Sequence, residues 1–347
     1  MRTEVFREQI ASAFSQRRLN LILFPTERCN LRCVYCYEDF QVGRMRPDVV
    51  SAIKALLDRR SADLDALDLS WFGGEPLLAK DIVYDLSEYA QQRAKAGLSY
   101  RANMTTNGYL LDVDTASRLV ALGVTFFQIS LDGFGAQHDV TRRRADGLGS
   151  FERIWNNLLA LRELKSSFTV MLRVHFSPSN IAVLDELIQA INREFVNDPR
   201  FTVYFKAIGR LGGSNDGILA VFDEEEKARI KSDLEQRLNI PRRVDDLNME
   251  QQICYASVPT SLMIRADGSI GKCTVALSDE RNRVGRLRPD GLIEIDQPRL
   301  RRWLRGFSTL DERDLACPYS LMKTETSEAE QLVSLRLPKE RHRPMSA

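Results

Sequence analysis

Cys29, Cys33 and Cys36 stand at C-x3-C-x2-C spacing directly after a short apolar run, and they are half of the six cysteines in the chain. Thiolates are soft ligands that suit iron–sulfur clusters, zinc or Cu(I), and a four-iron cluster ordinarily takes a ligand on every iron. Three thiolates in one short loop leave the remaining iron open to a small molecule. Zinc would want a second ligand pair nearby, yet no Cys or His follows until His138. A disulfide framework belongs to small secreted chains, whereas this one has 347 residues, is 28% charged and shows no signal-peptide pattern. The spacing points to a cluster with one open iron.

Something must hold such a loop in place, and the chain has the length to bury a sizeable core, as one large domain with a small one or as two domains. The net charge is +1, so bulk electrostatics calls for neither nucleic acid nor an anionic membrane as partner. No apolar run is long enough to span a bilayer. Free cysteines and an oxygen-sensitive cluster fit a reducing cytoplasm.

From Asn20 onward, strand-like runs alternate with helix-like runs. Expected strands are Leu21 to Phe24, Leu67 to Phe72, Tyr100 to Thr105, Thr125 to Leu131, Thr169 to Phe176 and Phe201 to Ala207. Between them, Pro47 to Arg59 has apolar residues at helical spacing and a proline suited to a first turn. Further helices are expected near Ile82 to Ala96, after an Asp112 or Asp114 cap up to Gly123, at Ser150 to Leu164 and at Ile181 to Phe195. Such alternation argues for right-handed crossovers and a parallel sheet, whose functional loops follow the strands. After Ala207 the pattern changes to a glycine-rich loop, Gly209 to Asp216, and a charged helix, Asp223 to Leu238. A hairpin then turns at Arg265 to Ser269, and a basic helix lies near Leu300 to Arg305.

Several clusters that follow the strands complete a picture. Gly73-Gly74-Glu75-Pro76 follows the second strand, Thr105-Thr106-Asn107-Gly108 the third, and Ser130-Leu131-Asp132-Gly133 with His138-Asp139-x-x-Arg142 the fourth. With the cysteine loop in front, this order resembles the radical SAM superfamily. The resemblance implies a 4Fe–4S cluster on Cys29, Cys33 and Cys36 whose open iron is chelated by S-adenosylmethionine (SAM). It also implies that Tyr35 lines the adenine pocket and that Gly73, Gly74 and Glu75 meet the SAM amino group. Asn107 would lie near the cofactor, Ser130 and Arg142 would contact its carboxylate, and Asp132 its ribose. The plainer readings are a turn for Asp132 and a solvated charge for Arg142, whose neighbours Arg143 and Arg144 are equally capable donors. Arg173 and His175 share one strand face, as a pocket-facing pair or as a covered salt bridge, and His175 carries no catalytic assignment.

Cys254, thirteen residues, Gly268, four residues and Cys273 resemble the opening of the SPASM and twitch extensions of that superfamily, with Cys317 a third ligand. These three support at most one auxiliary 4Fe–4S cluster, and Ser320 stands where a partner cysteine of Cys317 is usual. Thr274 occupies the place of the Asp base of sulfatase-maturing relatives, which lowers that reading. The expected fold is α/β: a partial (β/α)6 TIM-like barrel over 18–210, preceded by a helix at 1–17. A linker and helix at 211–250 would lead to a small twitch/SPASM-like α+β extension at 251–323 and a loose tail at 324–347.

The implied chemistry is reductive cleavage of SAM to a 5'-deoxyadenosyl radical that abstracts hydrogen from a substrate. A ribosomally made precursor peptide, oxidised or cross-linked, is the first expectation, and an external flavodoxin- or ferredoxin-type donor and a separate leader-binding protein are the expected partners. Oxidation of a small alcohol or sugar, and a sulfatase-maturase-like activity, are the alternatives. A non-catalytic cluster protein would not need GGEP or an arginine beyond the fourth strand.

Overall fold

The computed structural model describes residues 9–94, 97–239, 253–320 and 322. The expected tail at 324–347, residues 1–8 of the N-terminal helix and residues 240–250 of the linker lie outside them; residues 9–13 are helical.

Six parallel strands build the wall that the alternating pattern predicts. They are β1 (Arg18–Leu23), β3 (Ala66–Trp71), β4 (Ser99–Thr106), β5 (Val124–Leu131), β7 (Thr169–Phe176) and β8 (Phe201–Ala207), paired in that order. One row in register runs Leu23, Trp71, Met104, Phe127, Val170, Phe201, all buried. This apolar face packs against the crossover helices, as burial of apolar surface requires. The alternate residues face inward and are largely polar: Ser70 and Asn103, then Thr105 and Gln128, then Ser130, Arg173 and Tyr204. A wall that is apolar outside and polar inside is a partial (β/α)6 barrel with a wet lumen.

The helices start where local chemistry places them. α1 (Pro47–Arg60) opens with its proline and buries Val49, Ile53, Leu56 and Leu57. α2 (Lys80–Arg93) follows, and α3 (Val113–Ala121) is capped by the Asp112 carboxylate, which accepts from Thr115 N–H at 2.9 Å. Next come α4 (Ala136–Thr141), α5 (Phe151–Leu161), α6 (Leu184–Phe195) and α7 (Glu224–Gln236), the last opened by an Asp223/Glu226 capping box.

The extension does not stand apart from the barrel. β9 (Ser261–Ile264) pairs in parallel with β1, and β10 (Ser269–Gly271), β11 (Gly285–Leu287) and β12 (Ile293–Ile295) continue antiparallel, so a single sheet of ten strands runs from β12 to β8. The hairpin expected at Arg265 is the β9–β10 turn. α8 (Gln297–Trp303), α9 (Arg305–Thr309) and α10 (Glu312–Ala316) close the described chain.

Candidate active site

The cysteine loop leaves β1 and is clamped at its base. Met45 N–H donates to the Pro25 carbonyl at 2.9 Å and Glu27 N–H to the Gly43 carbonyl at 2.8 Å. Two short strands, β2 (Leu31–Cys33) and β6 (Arg142–Arg144), pair antiparallel in a separate ribbon that sets Cys33 opposite Arg142. This ribbon chooses among the three arginines. Arg142 is buried and its Nη1 donates to Tyr35 Oη at 2.7 Å, whereas Arg143 is exposed and Arg144 pairs with Asp146.

The loop after β3 fits against the cysteine loop. Gly73 has φ +117°, and a methyl on it or on Gly74 would overlap the carbonyl oxygens of Thr26 and Arg28, so only glycines allow the approach. Glu75 is fully buried. Its Oε1 accepts from Leu77 N–H at 3.0 Å and Thr106 Oγ1 at 2.8 Å, and its Oε2 from Asn107 N–H at 2.7 Å. It thereby ties the loops after β3 and β4 together. Asn107 Nδ2 donates to Asn30 Oδ1 at 2.8 Å and points at Cys29 Sγ, 3.9 Å away, which also accepts from Leu31 N–H at 3.3 Å.

A second buried network joins the cysteine loop to β5 and β7. The Asp132 carboxylate accepts from Tyr35 Oη at 2.9 Å and from Thr141 Oγ1 at 2.6 Å, and lies 3.1 Å from His175 Nδ1. Asn180 Nδ2 donates to the carbonyls of Asp132 at 2.7 Å and His175 at 3.0 Å. Burial by itself would raise the Asp132 pKa, but the His175 hydrogen bond and the Arg142 charge hold it well below the usual carboxylate range. Burial pushes His175 down to about 4, so the ring is neutral at pH 7. In the His138-Asp139-x-x-Arg142 segment, Asp139 accepts the N–H groups of Ser150 and Phe151 at the start of α5. Ser130 sits on the inner wall opposite Arg173.

Residues 23–190 match the family model described as the radical SAM superfamily. Residues 23–190 thus form a radical SAM domain. It is 28% identical over 180 residues to the Fe-coproporphyrin III synthase of Methanosarcina barkeri, covering 52% of this chain and 42% of that one. It is 26% identical over 178 residues to the PqqA peptide cyclase of Gluconobacter oxydans, covering 51% and 46%. The match thus spans about half the length of these curated relatives. Among solved structures, native anSMEcpe with bound AdoMet and Cp18Cys peptide superposes with a TM-score of 0.60 at 18% identity, covering 84% of this chain and 82% of that one. Streptococcus suis SuiB bound to precursor peptide SuiA gives 0.53 at 15% identity, covering 79% and 64%. At these identities the likeness is one of fold.

A radical SAM domain implies SAM and a 4Fe–4S cluster, and the residues present fit both. Burial raises the pKa of Cys29, Cys33 and Cys36, the last to about 11, so each is a neutral thiol until a metal charge compensates the thiolate. Arg142 Nε is buried with no partner, a donor free for a carboxylate. Among the described residues no three His, Cys, Asp or Glu side chains converge as they would around one metal ion. A cluster differs in that each cysteine ligates its own iron.

The extension carries the three C-terminal cysteines. Cys254 precedes a short turn at Tyr255–Ser257, Cys273 follows β10, and Cys317 caps the end of α10; Cys254 lies within electrostatic reach of the other two, and Cys273 within reach of Cys317. Cys254 N–H donates to the Leu315 carbonyl at 2.8 Å, which fixes the spacing of the first and last. Tyr37 lies within electrostatic reach of both Cys36 and Cys273. A cavity of about 400 Å³ opens there, lined by Tyr37, Glu38, Asp39, Phe40, Gly212, Ser214, Leu277 and Ser278. Burial and the nearby Glu27 push Glu38 up to about 8.

Three features of this site are absent from the sequence reading: the Asp132–His175 pair, the β2–β6 ribbon and the Tyr37 position. The one usable signal was Arg173 and His175 two apart on a strand, with the partner Asp132 more than forty residues upstream.

Proposed function

We propose that this radical SAM protein abstracts hydrogen from a ribosomally made peptide, oxidising or cross-linking a side chain. The observation that carries the reading is the cavity walled by the segment after Cys36 on one side and by Leu277 and Ser278, after Cys273, on the other. Both solved structures of like fold named above hold a peptide, which supports that choice of substrate.

Cys29, Cys33 and Cys36 would hold the cluster, with SAM supplying, on one-electron reduction, a 5'-deoxyadenosyl radical that takes the hydrogen atom. The Leu31 and Asn107 N–H groups directed at Cys29 Sγ would withdraw charge from that sulfur and so ease the reduction of a cluster held there. Arg142, held by Tyr35, offers its free Nε to the SAM carboxylate. The Glu75 brace keeps the loops after β3 and β4 from opening to water, which keeps a radical from side reactions. Cys254, Cys273 and Cys317 would hold an auxiliary cluster able to accept the second electron from the oxidised substrate.

Anaerobically reconstituted protein given dithionite and SAM is expected to release 5'-deoxyadenosine and methionine. Wild type should carry about eight irons and the Cys29→Ala/Cys33→Ala/Cys36→Ala variant about four, as two four-iron clusters require. No 5'-deoxyadenosine from cluster-loaded protein would remove the enzyme reading, and no iron in the variant would remove the auxiliary cluster. Mass spectrometry of small peptides encoded beside the gene and co-expressed with it tests the substrate class.

A further inference from the structure

Two cations on the inner wall have no role in the site above. Ser130, Arg173 and Tyr204 form one row across β5, β7 and β8, and His175 and Lys206 stand opposite each other in the next. Residues in register, and residues two apart along a strand, share a face, so Arg173 and Lys206 both line the lumen. Arg173 Nε is buried and has no hydrogen-bond partner. Nearby lysines of α7 are already served: Lys227 pairs with Glu224 at 2.6 Å, and Lys231 lies 3.7 Å from Glu235 and 5.1 Å from the Tyr204 ring centroid. Among the described residues neither Arg173 nor Lys206 has a carboxylate at ion-pair distance.

Lys206 keeps an exposed face toward the open lumen, yet its partial burial and the charges of Arg173, Lys231 and Lys227, opposed by Glu224, push its ammonium below its ordinary pKa. Cations crowded in this way are stabilised by an anion brought from outside. Arg173 also lies within electrostatic reach of Tyr37, which borders the cavity between the two cysteine sets. Arg142, by contrast, is tied to Cys33 and Tyr35 on the cofactor side.

We infer that Arg173 and Lys206 form a subsite for a carboxylate of the substrate, an Asp or Glu side chain or the C-terminus of a peptide. The inference rests on the peptide reading and sharpens it. A guanidinium takes a carboxylate through two parallel hydrogen bonds and the ammonium adds a point charge beside it.

The test uses the reconstituted holoenzyme and fluorescein-labelled oligoglutamate and oligoglutamine peptides, each C-terminally amidated or free, read by fluorescence anisotropy at low salt. Wild type should bind oligoglutamate at least about tenfold more tightly than amidated oligoglutamine, and Arg173→Gln/Lys206→Gln should abolish the difference. Preference for free over amidated oligoglutamine would place the C-terminus in the subsite, and glutarate should displace the label better than inorganic phosphate. Arg301→Gln/Arg302→Gln, on the outer helix α8, controls for surface attraction. Equal binding of all peptides, loss only in the α8 variant, displacement by phosphate alone, or a weaker SAM dissociation constant with glutamate preference intact would each overturn the inference. Circular dichroism confirms that the variants fold, and Arg173→Lys should restore part of the preference. Binding needs no turnover, so its failure is distinct from a failure to form 5'-deoxyadenosine.

Discussion

Asp132 shows how much one buried carboxylate can organise: with Tyr35, Thr141 and His175 on its oxygens, it joins the cysteine loop to two strands. The cost is that two neutral histidines lie nearby. Burial holds His138 and His175 at about 4, below the ordinary 6.5. The unfolded chain therefore binds more protons between about pH 6.5 and 4, and stability falls as pH drops through that window. Asp132, with its folded pKa depressed, adds stability that is present above its ordinary pKa and lost on further acidification. His138 Nδ1 accepts from Asp132 N–H at 3.3 Å, a bond its protonation would break. The urea midpoint is expected to fall from pH 7 to pH 5, by on the order of 1–3 kcal/mol in stability, and His138→Gln should flatten that dependence. A midpoint indifferent to pH would contradict neutral buried rings.

At the scale of elements, one ion pair joins the cysteine loop to the extension. Glu27 is 1% exposed, and Arg265 at the β9–β10 turn donates to both its oxygens, at 3.0 and 2.5 Å. Removing one partner of such a pair strands a buried charge, whereas removing both does not. Arg265→Met is expected to cost about 3–5 kcal/mol in chemical denaturation, and Glu27→Gln/Arg265→Met to recover most of it. Additive losses in that cycle would show that the pair does not couple the two elements.

For the whole molecule, the pairing of β9 with β1 matters most. Without it β1 is an open parallel edge, and Ile22 and Phe24, packed with Met263 in a small cluster of their own, lose their cover. A chain ending at residue 250 is therefore expected to aggregate, read by light scattering and the soluble fraction. A monodisperse product would mean that the barrel closes its own edge. The same pairing places Leu277 and Ser278 across the cavity from Tyr37 to Phe40.

What could be read without the fold was local. Thr169–Phe176 and Phe201–Ala207 are strands at the expected residues, Pro47 opens a helix and Asp112 caps one, because period, proline and capping act within a few residues. The motif order after successive strands was equally legible and led to the superfamily. Tertiary structure alone decided which of Arg142, Arg143 and Arg144 turns inward, that His175 answers Asp132, and that β9 completes the sheet beside β1. Those contacts join residues far apart in the chain, and which distant groups meet is set by strand order and register, to which no short window of sequence is sensitive.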